Sequence, residues 1–182
     1  MTPIPPPPIE AGAPTIARTE RIVVDRPPAE TYAYVVSGPL EEMIPATRRL
    51  PGVTGTTPLT PGPWGAAGGQ RHVHLSDGSR TTEQVVEAVP GERFRYQVWD
   101  YTTPAGKPIA YALGEFQFRP LDGGKRTEIA WTYAFRLRPG IFPGSLGGFG
   151  RWLMRRVFLD GPYADLMGAS LAAIKAQLER GA

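Results

Sequence analysis

The stretch TEIAWTYAFRL, residues 127–137, alternates with a period of two, so Thr127, Ile129, Trp131, Tyr133, Phe135 and Leu137 share one face of a strand. Similar strand signals occur at TIARTERIVV (15–24), GVTGTT (52–57), QRHVHLS (70–76), SRTTEQVVEAV (79–89), RFRYQVWDY (93–101) and PIAYALGEFQFR (108–119). Asp77-Gly78, Pro90-Gly91, TPAGK and LDGGK separate the later strands and predict hairpins. Between the first two strands, DRPPAETYAYVVS (25–37) predicts a helix with Pro28 near its first turn and Gly38-Pro39 behind it. A second short helical piece, LEEMI, ends at Pro45. A loop rich in Gly and Pro runs on to Gly69 after the 52–57 strand. Beyond Pro139 the period becomes helical. Tyr163, Leu166, Met167, Leu171, Ile174 and Leu178 form one apolar stripe. FGRWLMRRVFL before it predicts a separate helical segment, with Pro162 starting or kinking the long C-terminal helix.

The element order is strand, two short helices, six antiparallel strands and a long helix. That order predicts an α+β domain in which a curved antiparallel sheet of about seven strands wraps around the C-terminal helix. The domain is expected to span 15–182. Residues 1–14, MTPIPPPPIEAGAP, predict an extended, mobile tail outside it.

Composition narrows the function classes. The 182 residues include 41% apolar and 20% charged side chains, ordinary for a globular chain, and no apolar run reaches membrane-spanning length. No signal-peptide pattern opens the chain, and the expectation is a cytoplasmic protein. Cysteine is absent, which removes thiolate nucleophiles and zinc-thiolate sites. Seventeen Arg stand against three Lys and are spread along the chain, apart from the cluster Arg151, Arg155 and Arg156, so no nucleic-acid footprint is expected.

Candidate chemistry is sparse. His72 and His74 are the only histidines and share a strand face. A two-residue turn at Asp77-Gly78 would put His72 opposite Glu83, a conceivable metal pair. Val73 and Leu75 mark the other face as inward, however, and no metal or cofactor is expected. The same register sets Arg71 opposite Gln84 on the Val73 face. Carried across Pro90-Gly91, it adds Arg95, Gln97 and Trp99, while Phe94, Tyr96 and Val98 argue for the reverse orientation of that strand. Gly114, between Tyr111 and Phe116, predicts a bulge that turns both inward. No Ser-His-Asp arrangement and no phosphate loop is present. Glu83 as a base and Tyr133 as a proton donor are the candidates for acid–base work.

Several local matches resemble the helix-grip fold of the START/Bet v 1-like superfamily, which includes polyketide cyclases and aromatases. They are RIVVDRPPAETYAYV, HLSDGSRTTEQVVEAVPGERFRYQV, GGKRTEIAWTYAFRLRPG and LAAIKAQLER, in that order over about residues 16–180. The resemblance implies that the inner sheet face and the long helix enclose a pocket rather than a solid core. The candidate lining is then Arg71, Gln84, Arg95, Trp99, Tyr111, Trp131, Tyr133, Phe135, Met167 and Leu171. It further implies binding of a small hydrophobic, aromatic or polyketide-like molecule, with cyclase, aromatase or dehydratase chemistry open. A lipid or quinone carrier acting at a membrane surface or with a protein partner is the alternative. GIFPGSLGGFG (140–150), carrying Ile141, Phe142, Leu146 and Phe149, is expected to be a mobile gate at the cavity rim. With Arg151, Arg155 and Arg156 the same loop offers the peripheral membrane contact.

Overall fold

Strand β7 (Arg126–Leu137), the strongest alternation in the chain, lies between β6 (Ile109–Leu121) and β1 (Ile16–Val24) in a computed structural model that describes residues 3–180. β5 (Arg93–Trp99), β4 (Arg80–Val89), β3 (Gln70–Leu75) and β2 (Val53–Pro58) continue in that order to the far edge, and every pair is antiparallel. Helices α1 (Pro28–Ser37) and α2 (Leu40–Met43) connect β1 to β2. After β7 come α3 (Gly147–Met154), a π-helical stretch Arg155–Tyr163 and α4 (Ala164–Glu179). Pro162 lies inside the π stretch, where its missing N–H and its ring bulk are absorbed by the wider turn. This is the seven-stranded helix-grip architecture, with a long C-terminal helix in the grip of the sheet.

Period-two patterning puts Ile129, Trp131, Tyr133, Phe135 and Leu137 on the inner face, all buried with Phe94, Tyr96, Val98, Phe116 and Phe118 from the neighbouring strands. Helix α4 closes the layer with Leu166, Met167, Leu171 and Ile174. Its C-terminal end is tied to the end of β1: Lys175 Nζ donates to the Val23 carbonyl at 2.7 Å and Arg26 Nε to that of Leu178 at 2.8 Å.

Two irregularities depart from the expected register. The loop after β3 holds three residues, Ser76 to Gly78: Leu75 N–H donates to the Ser79 carbonyl, and Gly78 takes φ +80°. Register therefore slips by one, and Arg71 faces Glu83 while His72 faces Thr82. A one-residue slip exchanges the faces of a strand, so Glu83 points inward and Gln84 outward. The second irregularity is a bulge between Ile109 and Tyr111, not at Gly114. Gly114 is needed for a different reason. A Cβ there would sit 2.1 Å from the Tyr96 ring. Gly114→Ala is expected to destabilise the fold by about 1–3 kcal/mol, as overpacking does, and urea unfolding would show it.

The Pro-rich segment is extended, as its composition requires, but it is a strap rather than a free arm. It runs across the outer face of the sheet. Ile4 N–H donates to Gln70 Oε1 at 3.0 Å, Gln97 Nε2 to the Pro7 carbonyl at 2.8 Å and Glu10 N–H to the Tyr111 hydroxyl at 3.2 Å. Arg136 pairs with Glu10 at 3.0 Å. Proline carbonyls have no partner within an extended chain, and outward-facing Gln, Tyr and Arg side chains supply donors or hold the backbone in place.

Candidate functional site

A narrow cleft opens between the inner sheet face, α1–α2 and the 59–69 loop, with about 30 Å³ of free space. Arg71, Glu83, Phe94, Tyr96, Phe116 and Trp131 form its sheet wall, Ser170 and Ile174 its α4 wall, and Trp64 of the loop covers one side. That volume admits little more than a water or two. The interior is thus filled by rings rather than hollow: Trp131 stacks on Phe116 at 5.0 Å and 7°, and Tyr133 packs on Tyr163 and Phe135 at 5.0 Å each.

One ion pair sits in this apolar wall. Arg71 donates through Nε and Nη2 to Glu83 Oε2 at 2.9 and 2.8 Å, and both side chains are nearly buried. The Arg71 guanidinium also lies 3.8 Å from the centre of the Trp64 ring, a cation–π contact that holds the loop down. The three-residue hairpin loop is what brings the pair together, since a two-residue turn would have set Arg71 against Gln84.

Around the pair gather phenol and indole groups. Trp131 Nε1 donates to the Tyr96 hydroxyl at 3.1 Å. The buried Tyr101 hydroxyl has no hydrogen-bond partner of good geometry, although the Tyr133 hydroxyl and the Glu83 carboxylate both act on it. Burial, and then the Glu83 charge, pushes the phenols of Tyr96 and Tyr101 far above their ordinary value. Burial and the neighbouring tyrosines do the same to Tyr133 and Tyr163. These four hydroxyls stay protonated, and so remain donors, across the whole physiological range. Below the ordinary phenol value of 10.0 both folded and unfolded chains hold these protons. Above it the unfolded chain sheds them first, so stability falls as pH rises. An alkaline titration followed by tyrosinate absorbance should show four of the seven tyrosines ionising only together with unfolding.

Of the residues expected to line a pocket, Arg71 and Trp131 do so. Tyr133, Phe135, Met167 and Leu171 belong to the packed core alongside. Gln84, Arg95, Trp99 and Tyr111 do not face the interior. Gln84 accepts from Gln70 Nε2 on the outer face at 2.7 Å. Arg95 pairs with Glu87 and Glu115 at 3.5 and 3.0 Å on that face. Trp99 and Tyr111 are buried there, on the face that the strap crosses. The reverse orientation of β5 is the one adopted, because Phe94, Tyr96 and Val98 have the larger apolar surface to bury.

None of Ile141, Phe142, Leu146 and Phe149 lines the cleft. Ile141 and Phe142 lie in a turn that leads into a 3-10 turn ending at Leu146, and Phe149 lies in the first turn of α3. The segment is structured by turns and the start of α3 and lies away from the cleft. His72 and His74 are on the outer face beside Arg80 and Thr57. Among the described residues no group of three or more His, Cys, Asp or Glu could hold a metal ion, and no helix is long and apolar enough to cross a membrane. Trp64 has no periodic signal, because it stands in a Gly- and Pro-rich loop; a lone large aromatic in such a loop is its one mark in the sequence.

A family described as "Polyketide cyclase / dehydrase and lipid transport" matches residues 15–179. No curated protein matches the chain in sequence. Among solved structures, the ZhuI aromatase/cyclase from Streptomyces sp. R1128 is 16% identical with a TM-score of 0.62, covering 91% of this chain and 94% of that one. The di-domain ARO/CYC StfQ of the steffimycin biosynthetic pathway is 19% identical with a TM-score of 0.66, over 91% of this chain and 51% of its own. Ara h 8.0201 is 14% identical with a TM-score of 0.59, over 91% and 98%. At these identities the likeness shows a shared fold.

Proposed function

The chain belongs to the polyketide cyclase/dehydrase and lipid transport family, and we propose that it binds a small hydrophobic, carbonyl-bearing molecule of aromatic or polyketide-like kind in the cleft under Trp64. The observation that carries this reading is the Arg71–Glu83 pair set into an aromatic wall. Arg71 spends Nε and Nη2 on Glu83, which leaves Nη1 for a ligand oxygen, while Trp64, Phe94 and Trp131 offer ring faces. Entry requires the Trp64 loop to lift. Gly62, Gly65 and Gly68 in that loop take positive φ, conformations that a side chain would resist.

In the catalytic form of the proposal the reaction is an aldol-type ring closure. Glu83 would take a proton from a carbon flanked by carbonyls, and Arg71 would hold the resulting enolate oxygen. The carbon would then attack a second carbonyl. A tyrosine hydroxyl would hydrogen-bond the new alkoxide, which takes up the proton held by Glu83 and so restores the carboxylate. A non-catalytic carrier would use the same cleft without the proton transfers.

Titration with a two-ring naphthol, read by tryptophan emission, tests the binding. Saturable quenching is expected, with affinity weakened roughly tenfold by Arg71→Met, the scale of one charge-assisted hydrogen bond, and with its amplitude cut by Trp131→Phe to the part contributed by Trp64. Quenching that ignores both substitutions would place the ligand elsewhere. Glu83→Gln separates the two forms, since a carrier keeps its affinity and an enzyme loses ring closure of a poly-ketone substrate.

A further inference from the structure

Residues 138–159 contain four arginines and not one acidic side chain. Within this stretch Phe142, Phe149, Trp152 and Val157 each keep between 58% and 64% of their surface in water. Phe149 and Trp152 stack on each other at 5.5 Å on the outside of α3. The opposite side of the same helical run is already committed: Leu159 is fully buried, and Met154, Phe158 and Tyr163 pack on the core. This segment is therefore apolar on two sides, and only one side is used by the fold. An exposed aromatic patch of this kind marks an interaction surface.

Charge identifies the partner. Arg155 pairs with Asp160 at 3.5 Å, and Asp160 also receives Arg18 at 3.1 Å. No carboxylate lies within ion-pair distance of Arg151 or Arg156 among the described residues. A second copy docked by a two-fold axis would set this arginine cluster against itself. We propose that α3 and the loop before it dock on the surface of an anionic phospholipid bilayer, with Phe142, Phe149, Trp152 and Val157 entering the headgroup–acyl boundary. Arg151, Arg155 and Arg156 then meet lipid phosphates. Phe and Trp are suited to that depth, and arginine stems bury their methylenes while the guanidinium stays at the headgroups. The geometry stands independently of what the cleft binds.

Flotation of the full chain with vesicles tests the docking, using phosphatidylcholine alone and phosphatidylcholine with about a third phosphatidylglycerol. The chain should float with the anionic vesicles, and Trp152 emission should shift to the blue. Phe149→Ser/Trp152→Ser and Arg151→Gln/Arg156→Gln should each cut partitioning roughly tenfold, and added salt should weaken it. Phe149, Trp152 and Arg156 are exposed and Arg151 is half-buried without a carboxylate partner among the described residues, so unchanged unfolding midpoints are expected and keep a loss of binding interpretable. No flotation of the wild-type chain would overturn the proposal. So would flotation indifferent to lipid charge and to the arginines, or a concentration-dependent dimer abolished by Phe149→Ser/Trp152→Ser.

Discussion

Replacing Arg71 with alanine should cost the fold about 3–5 kcal/mol, the range for leaving one member of a buried ion pair without its partner. Glu83 would keep its carboxylate in a wall of rings formed by Phe94, Tyr96 and Trp131, with no cation to balance it. Trp64 would lose its guanidinium platform at the same time, so the 59–69 loop should become more exposed to hydrogen exchange. The double variant Arg71→Met/Glu83→Leu removes both charges and keeps most of the volume, and it should recover most of the stability. A single variant as stable as wild type in urea would mean that water reaches the pair freely. The double variant also separates structure from function: a folded protein that no longer binds the naphthol assigns the pair to the ligand rather than to the core.

Trp131→Ala is expected to cost about 3–5 kcal/mol as well, the loss for deleting a large aromatic from a packed interior. Its ring stacks on Phe116, meets Tyr133 edge-on at 5.9 Å and donates to the Tyr96 hydroxyl. Deletion therefore removes ring contacts and orphans a buried phenol together. Urea unfolding gives the number. A loss near 1 kcal/mol would show that the ring lines an open space that the neighbours do not rely on. Trp131→Phe, which keeps the stack but not the indole N–H, should fall well short of the alanine loss. The comparison isolates the contribution of the bond to Tyr96.

Architecture is legible in the chain because its signals are local. Period two over 127–137, the helical stripe from Tyr163 to Leu178 and the turn dipeptides between strands each depend on a few adjacent residues. They lead to seven strands and a long closing helix, and that is what forms. For Trp131, Tyr133, Phe135, Met167 and Leu171 the buried face comes from the same periodicity, since a side chain's face on one element needs no knowledge of its neighbours.

Register between elements is another matter. Whether Asp77-Gly78 closes a two- or a three-residue loop is a difference of a single residue, yet it decides whether Arg71 meets Gln84 or Glu83. The same slip turns Thr82 and Gln84 outward, so Trp99 and Gln97 opposite them face outward too, with Arg95 on the same face, while Phe94, Tyr96 and Val98 enter the core. Tyr111 goes to the outer face through a bulge beside it, not at Gly114. Gly114 is glycine because a ring from the next strand lies against it, and contact across strands leaves no local trace. The Pro-rich strap likewise stays down on donors that stand as far as 126 residues away in the chain. By itself the sequence determined which segments are strands and helices and which faces of the strongest of them are apolar, because those depend on near-neighbour geometry. The ion pair, the filled interior and the covered outer face were decided only by tertiary structure, because each depends on how separate elements slide past one another by a single residue.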